Sequence, residues 1–223
     1  MTPAFPAPGA PVVFDLDGTL VLSEHVHRRT WFRFFDDWGA AVDEDTYRRE
    51  FLGRRADDAL REVDGPWRDA DPDELTGQLV AHGTALAGAV EAVPGATELV
   101  TALAARGHRL AVVTSARRGW AEKILGDVLG VAALIELVVA AEDVVRGKPD
   151  PEGYLTACRS LGVDPAGCVA FEDSPAGVAA VVAAGIGTVV GVRTTTGAAG
   201  LEAAGAHRTV PDLAPGRLLA PAD

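Results

Sequence analysis

The chain has 223 residues, enough for one large domain or for a main domain with a smaller insert, and its 48% of hydrophobic residues argues against extensive disorder. The formal net charge of −12 argues against a basic nucleic-acid surface, and no run of about 20 apolar residues offers a membrane span. The Pro-rich start, MTPAFPAPGAP, lacks the basic and apolar regions of a signal peptide. We therefore expect a cytoplasmic protein that binds neither nucleic acid nor membranes.

Five short apolar runs, each bounded by turn residues, predict buried strands of a parallel sheet. They are Val12–Phe14, Leu110–Val113, Leu137–Ala140, Cys168–Phe171 and Thr188–Val192. Helical stretches lie between them, and two of these end at Gly107 and Gly185, where glycine favours a helix stop. This alternation predicts a doubly wound α/β fold.

The first connection is unusually long, because about 95 residues separate the first predicted strand from the second. In EHVHRRTWFRFFDDWG, five apolar residues fall close to one helical face. They are Val26, Trp31, Phe34, Phe35 and Trp38. A second helix is predicted for DPDELTGQLVAHGTALAGAV. We predict a helical insert with its own small core at residues 23–92.

Asp15 and Asp17 directly follow the first predicted strand. Two residues apart in an extended segment, their side chains would point the same way. Such a pair can hold a hard cation or divide nucleophilic and acid/base roles. Asp and Gly are also ordinary turn residues, so DLDGT alone leaves a structural alternative open.

The next two strands end in a hydroxyl pair and a lysine. Thr114 and Ser115 precede a predicted helix, where they form either a phosphate seat or an ordinary N-cap. Lys148 lies between Gly147 and Pro149, which favours contact with a phosphate, although most loop lysines are simply solvated.

The fourth strand ends in Glu172 and Asp173, followed by Ser174 and Pro175. Pro175 suits the first turn of a helix, and Ser174 or Asp173 could cap it. Capping explains one acid but not both, so this pair could complete a metal site begun at the first strand. The carboxyl ends of parallel strands meet at one sheet edge, so all four groups are expected to converge.

The motifs DLDGT, VVTS, GKPDPEGY and FEDSPAG together resemble the four motifs of the haloacid dehalogenase-like hydrolases over Val12–Val192. The resemblance implies a Rossmann-like core with five main strands in the order 3-2-1-4-5, formed by residues 1–22 and 93–223. It also implies that residues 23–92 form a helical cap of the first type.

The resemblance implies that Asp15 is the nucleophile and a metal ligand. Asp17 would be the general acid/base and offer its backbone carbonyl to the metal. Lys148 would bridge the phosphate and Asp15. A carboxylate attacks a phosphate anion poorly because like charges repel, so a cation and a lysine are needed nearby.

The resemblance assigns the remaining motif residues to the phosphoryl group and the metal. Thr114 and the amide of Ser115 would hold the phosphoryl group. Asp173 would bind Mg²⁺, with Glu172 as a ligand or a water-mediated partner.

Three positions bear on the branch of the family. True dehalogenases lack the second aspartate, which is present here as Asp17. Phosphatases typically carry DxDGT, as here at Thr19, whereas β-phosphoglucomutases carry DxDGV. His27, with the hydroxyl of Ser23, matches a histidine that mutases use and is predicted to bind the substrate, although it is also an ordinary polar position on a cap helix.

The predicted cap loop contains Gly53, Arg54 and Arg55. Mutases carry a substrate arginine three residues after this glycine, where the chain has Ala56. FLGRRADDAL is closer to the GxR pattern of sugar and polyol phosphatases, so Gly53, Arg54 and Arg55 are predicted at the substrate. A solvent-facing Arg55 is the alternative.

The sequence thus predicts a Mg²⁺-dependent phosphatase that hydrolyses a small phosphate monoester, of a sugar or polyol, through an aspartyl-phosphate. One alternative is a phosphosugar mutase of the β-phosphoglucomutase type. Another is a non-catalytic binding protein, against which the complete motif set argues. A small phosphorylated substrate is the expected partner, and the chain is expected to be a monomer or a weak dimer.

Overall fold

The computed structural model describes residues 5–86, 88 and 90–219. Residues 1–4 of the Pro-rich start and residues 87 and 89 of the second predicted cap helix lie outside the described residues. Among the described residues, no helix is both long and apolar enough to cross a membrane.

The strands found in the described part of the chain are β1 (Val12–Phe14), β2 (Val21–Leu22), β3 (Glu91–Ala92), β4 (Leu110–Val113), β5 (Leu137–Val139), β6 (Val169–Glu172), β7 (Thr188–Val192) and β8 (Arg208–Val210). The helices are α1 (Glu24–Asp37), α2 (Glu44–Glu50), α3 (Ala56–Glu62), α4 (Pro72–Leu86), α5 (Ala96–Ala105), α6 (Arg118–Lys123), α7 (Glu152–Leu161), α8 (Pro175–Ala183), α9 (Ala198–Ala204) and α10 (Pro215–Leu218). A π-helical turn, Ile124–Val128, continues α6.

The main sheet is parallel and has the strand order β5-β4-β1-β6-β7-β8. Its first five strands reproduce the predicted order 3-2-1-4-5, so the doubly wound fold is confirmed. The prediction of five main strands missed the edge strand β8. Its three residues, Arg208, Thr209 and Val210, include only one buried side chain, so they lack the apolar run that marks an internal strand.

The central strand β1 is buried on both faces. Val12 and Phe14 belong to a hydrophobic cluster on one side of the sheet, with Leu99 of α5. Val13 belongs to the cluster on the other side, with Val178 of α8. Because both faces are covered, the strand is a continuous apolar run rather than an alternating one.

Helices α1 to α4 enclose a separate aromatic cluster. Trp31, Phe34 and Phe35 of α1 pack there with Phe51 and Trp67, and the ring centroids of Phe35 and Phe51 are 5.0 Å apart. The predicted apolar face of α1 is only partly devoted to this cluster. Val26, the first apolar residue of this predicted face, packs instead in the hydrophobic cluster of the core that contains Val12 and Phe14.

A two-stranded antiparallel ribbon, β2 with β3, lies where the chain leaves and re-enters the core. The predicted boundaries at 22/23 and 92/93 fall at the ends of these strands. We propose that residues 23–92 form the cap, and we use that name for them below. Leu22 pairs with Glu91 through this ribbon.

Candidate active site

Five buried polar side chains gather beyond the carboxyl ends of the central strands. Asp15 follows β1, Thr114 follows β4, Lys148 lies in the loop after β5, and Glu172 and Asp173 stand at the end of β6. Each is at most 6% exposed. The convergence expected from the parallel topology is therefore present.

Lys148 lies between two carboxylates. Its Nζ donates hydrogen bonds to Asp15 Oδ1 and, at 2.5 Å, to Glu172 Oε1. Burial acts to lower the pKa of Lys148, but the charges of Asp15 and Glu172 hold that pKa well above its usual value. The ammonium is therefore charged where the resemblance places it, beside Asp15.

Glu172 is held by protein donors on both of its carboxylate oxygens. Oε1 accepts from Lys148 and from the hydroxyl of Tyr154 at 3.1 Å. Oε2 accepts from the Asp173 and Ser174 amides and the Ser174 hydroxyl at 2.9–3.1 Å. With these contacts, Glu172 can orient both Lys148 and the loop that follows β6. Its predicted role as a metal ligand or a water-mediated partner stays a prediction.

The acidic residues here have a geometry that fits a divalent cation. Asp15, Glu172 and Asp173 each place one carboxylate oxygen within 4.8 Å of the others. Asp15 Oδ2 is buried and has no hydrogen-bond partner among the described residues. Hard carboxylate oxygens are the ligands that Mg²⁺ and Ca²⁺ prefer.

The electrostatics of the acidic cluster also favours a bound divalent cation. Burial raises the pKa of Asp15 to about 7, despite the nearby charge of Lys148. Burial, followed by the charges of Glu172 and Asp15, raises the pKa of Asp173 well above its usual value. Three carboxylates face one ammonium, so a bound cation would balance the surplus negative charge.

Asp173 is oriented by two threonines. Thr19 Oγ1 donates to Oδ1 at 3.1 Å, and Thr195 Oγ1 donates to Oδ2. Gly18, with φ +88°, has no room for a side chain, because a Cβ there would overlap the Asp173 carboxylate. Thr195 was not predicted from the sequence. It closely follows the fifth predicted strand, and a polar residue just after a strand was the signal that identified the other site residues.

Replacing Thr19 with valine is expected to weaken metal binding by about tenfold, because an orienting hydrogen bond to a ligand is lost while side-chain volume is kept. The Mg²⁺ concentration that gives half-maximal thermal stabilisation measures this affinity. Thr101→Val on the exposed face of α5 is the matched control. Equal metal affinity in the Thr19 variant and the wild type would contradict the assigned role.

The Asp17 carboxylate points to a different set of partners. Its Oδ1 accepts from Ser23 Oγ at 2.7 Å, His27 Nε2 at 2.8 Å and Trp120 Nε1 at 2.9 Å. Within the described residues, the acidic cluster includes Asp15 but not the Asp17 carboxylate, so the two side chains do not form one shared cation site. The alternative, that they divide nucleophilic and acid/base roles, stays a prediction. β1 ends at Phe14, and the Asp17 side chain lies outside the acidic cluster, bound by donors from the cap and α6.

The contact between Asp17 and His27 shifts both groups toward their charged forms. Burial acts to raise the pKa of Asp17, but the charge and hydrogen bonds of its donors, above all His27, hold it below the usual value. Burial acts to lower the pKa of His27, and Asp17 raises it above the usual value. The structure thus places His27 against Asp17, and the predicted contact of His27 with the substrate stays a prediction.

The hydroxyl pair after β4 does not cap the next helix. Arg117 holds the N-cap position of α6, with no side-chain cap, so the N-cap alternative for Thr114 and Ser115 is wrong. Thr114 Oγ1 accepts from the Ala116 amide at 3.0 Å, and Ser115 Oγ donates to the Gly53 carbonyl at 3.2 Å. Both residues line the cavity beside the acidic cluster, and their predicted contact with a phosphoryl group stays a prediction.

Gly53 enters the site from the cap. Its φ is +72°, and a Cβ there would come within 2.7 Å of Ser174 Oγ, so only glycine fits. The end groups of the next two residues are bound to protein. Arg54 donates to the Glu50 carbonyl and to Glu62, while Arg55 donates to Asp58 and to carbonyls of the core. Their predicted contact with the substrate stays a prediction.

A cavity of about 580 Å³ lies between the cap and the strand ends. Its core wall includes Asp15, Asp17 and Thr114, and its cap wall includes His27 and Gly53. This volume is within the range of small-molecule sites, about 300–1,000 Å³. The arrangement suits attack by a buried carboxylate on a small phosphorylated compound.

Comparison with known proteins points the same way. A validoxylamine A 7'-phosphate phosphatase from Streptomyces hygroscopicus is 42% identical over 194 residues, covering 86% of this chain and 89% of that protein. A β-phosphoglucomutase from Mycobacterium tuberculosis is 30% identical over 236 residues, covering 91% and 89%. The solved structure of CbbY from Rhodobacter sphaeroides in complex with phosphate has a TM-score of 0.76 at 26% identity, covering 92% of this chain and 95% of that one.

Residues 12–185 match the description haloacid dehalogenase-like hydrolase. This range spans all four motifs and the cap, and it is well over half of the chain. The chain therefore belongs to the haloacid dehalogenase-like hydrolase family.

Proposed function

We propose that this protein is a Mg²⁺-dependent phosphatase that hydrolyses a sugar or polyol phosphate through an aspartyl-phosphate. The observation that carries the proposal is the state of Asp15. One of its oxygens is bound to Lys148, and the other is buried within the acidic cluster, without a hydrogen-bond partner in the part of the chain that the structure describes. That is the arrangement a nucleophilic carboxylate with a metal next to it requires.

The chemical class is a phosphoric monoester hydrolase. The chain is an enzyme of the phosphatase type, since it belongs to a family of hydrolases and its relative at 42% identity is named a phosphatase. The family generally uses a divalent metal, and the residues of the acidic cluster fit one.

The proposed first step is in-line attack of Asp15 on phosphorus, which forms the aspartyl-phosphate and breaks the bond to the ester oxygen. Asp17 delivers a proton to the leaving alkoxide, and because the pKa of Asp17 is held below its usual value, that proton comes from the His27 imidazolium hydrogen-bonded to it. Asp17 then takes a proton from water, which attacks the aspartyl-phosphate and releases inorganic phosphate. Lys148 and Thr114 hold the phosphoryl oxygens. Mg²⁺, held by Asp15 and Asp173, would supply positive charge to these oxygens.

The lining of the cavity supports a sugar or polyol as the leaving group. Trp31, Tyr47 and Trp120 supply aromatic surface, and Glu24 and Arg54 add polar groups. Aromatic surface with a few fixed polar groups is typical of small-molecule sites, and such polar groups can hydrogen-bond the hydroxyls of a sugar or polyol. The hydroxyl of Tyr47 donates to Glu24 at 2.9 Å, which fixes that carboxylate at the cavity wall.

One observation favours the mutase as a second candidate. Ser23 and His27, the residues by which the sequence resembles mutases, both bind Asp17. Incubation with a hexose 1-phosphate and a bisphosphate primer separates the candidates. We expect free phosphate as the main product, whereas isomerised sugar phosphate with little free phosphate would establish the mutase.

The test of the proposal is a panel of phosphate monoesters assayed with and without Mg²⁺. A chelator is expected to lower phosphate release at least about 100-fold, and added Mg²⁺ is expected to restore it. Mg²⁺ should also raise the unfolding temperature, a readout that needs no substrate. Activity that persists in the chelator would contradict the metal requirement. No release from any monoester with Mg²⁺ would favour the binding-protein alternative.

A cytoplasmic location and a monomeric or weakly dimeric state also stay part of this proposal. Size-exclusion chromatography with light scattering tests the oligomeric state.

A further inference from the structure

The loop that precedes Lys148 is bound by two side chains of the cap. The Arg55 guanidinium donates to the carbonyls of Ala141, Val144 and Val145 at 3.2, 2.8 and 2.9 Å. Asp58 accepts from the Gly147 amide at 2.9 Å. The loop backbone therefore obtains four hydrogen bonds from the cap, immediately before the catalytic lysine.

Arg55 and Asp58 form one rigid unit at the start of α3. Arg55 Nη2 donates to Asp58 Oδ1 at 2.7 Å, and the two side chains are only 11% and 10% exposed. Buried hydrogen bonds that involve charged groups are stronger than exposed ones and hold their geometry closely. A surface ion pair would not have this effect.

Gly147 is the contact point on the core side. A Cβ at this position would lie 2.7 Å from Asp58 Oδ2 and 2.8 Å from Arg55 Cβ, so a side chain would push the cap away. Sequence analysis treated Gly147 only as a neighbour that restricts Lys148. Its close approach to the cap gives it a further reason to be glycine.

The same loop is held on its other side by the core. The amides of Val145 and Arg146 donate to Glu152 at 2.8 and 3.1 Å. The hydrogen bonds from the loop to Glu152 therefore do not depend on the cap. The hydrogen bonds from the loop to Arg55 and Asp58 exist only while the cap is docked. Lys148 follows directly, and its ammonium must reach Asp15 in a buried site.

We propose that Arg55 and Asp58 are positioning residues that couple docking of the cap to the placement of Lys148. When the cap docks, the pair orders residues 144–147 and fixes the lysine against Asp15. When it undocks, the loop loses these hydrogen bonds and the lysine loses its fixed position. This inference rests on the proposed function, because it assigns Lys148 a part in catalysis.

The first test compares Arg55→Ala and Asp58→Ala with the wild type on two substrates, a hexose phosphate and phenyl phosphate. A positioning role predicts that kcat falls about 10- to 100-fold by the same factor on both, with KM changed less than about threefold. A loss confined to the hexose phosphate, or seen mainly in KM, would make Arg55 a substrate contact and overturn the proposal.

Arg61 provides a matched control. Its guanidinium binds the same carboxylate, Asp58 Oδ1, at 3.0 Å, but its side chain is 67% exposed, and both partners of this contact lie within the cap. Arg61→Ala is expected to leave kcat within about twofold. An equal loss in the Arg61 and Arg55 variants would show a general effect on the cap and contradict the coupling.

Gly147→Ala tests the same contact from the core side without removing a hydrogen-bonding group. It is expected to lower kcat as Arg55→Ala does. The double variant is expected to lose less than the product of the two single effects, because both changes break one contact. Fully multiplicative effects would contradict a shared contact.

Amide hydrogen exchange separates this inference from the proposed function, because it needs no substrate. In Asp58→Ala, exchange at the Gly147 amide is expected to quicken at least about tenfold, while the Val145 and Arg146 amides stay protected. Unchanged exchange at the Gly147 amide would overturn the proposed coupling between the cap and the loop, regardless of the catalytic activity of the variant. If the wild type hydrolyses no monoester but exchange responds as expected, the proposed function fails and the coupling between cap and loop stands.

Discussion

Asp15→Asn is expected to abolish turnover, with kcat lowered on the order of 10⁴-fold or more, because the nucleophile is lost while the shape of the side chain is kept. Phosphate release with saturating Mg²⁺ measures this. Activity near the wild-type level would exclude attack by Asp15 and with it the aspartyl-phosphate.

The same variant is expected to keep its fold, and the metal-free protein should not lose stability. The pKa of Asp15 is raised by burial to about 7, so above that pH its charge is less favourable in the folded state than in the unfolded state. Asparagine removes this charge, and Lys148 keeps Glu172 as its partner. Thermal unfolding at pH 8 in a chelator tests this, and a marked fall in unfolding temperature would contradict the charge balance described above.

Lys148→Met is expected to have the opposite effect on stability. It lowers kcat by about 10³-fold, because a positive charge at the phosphoryl oxygens is lost. It also leaves Asp15 and Glu172 buried without their ammonium, which is expected to lower the free energy of unfolding of the metal-free protein by about 3 kcal/mol or more. Denaturant unfolding in a chelator measures the second effect.

The chain offers a matched control, because Lys123 is its other lysine. Lys123 is 54% exposed and forms a surface pair with Asp127. Lys123→Met is expected to change the free energy of unfolding by less than about 1 kcal/mol. Mg²⁺ should restore part of the stability that Lys148→Met loses. Equal stability of the two lysine variants would mean that Lys148 does not balance the buried carboxylates.

The core of the fold was predictable because both faces of its strands are buried. Each internal strand is then a short apolar run, and the polar residues that follow it mark the carboxyl edge of the sheet. The same rule located Asp15, Thr114, Lys148 and Glu172. It failed for β8, whose edge position requires little burial.

The orientation of individual side chains was not predictable from spacing. Asp17 follows the same strand as Asp15, yet its carboxylate is bound by Ser23, His27 and Trp120. Two of these donors belong to the cap and one to α6, so no local pattern contains the arrangement. From the sequence, Thr19 served only as the motif residue that favours a phosphatase over a mutase. The structure shows that its hydroxyl donates a hydrogen bond to Asp173.

The sequence by itself determined the strands of the core and the set of reactive groups, because these depend on local patterns of burial and on residues that directly follow strands. The four motifs determined the family, and the resemblance to that family implied the sheet order. Only the tertiary structure decided which groups the Arg55 side chain of the cap contacts. Spacing left it at the substrate or in solvent, and folding placed it on the carbonyls before Lys148. Contacts between segments almost 90 residues apart depend on how the cap docks, and neither segment carries that information alone.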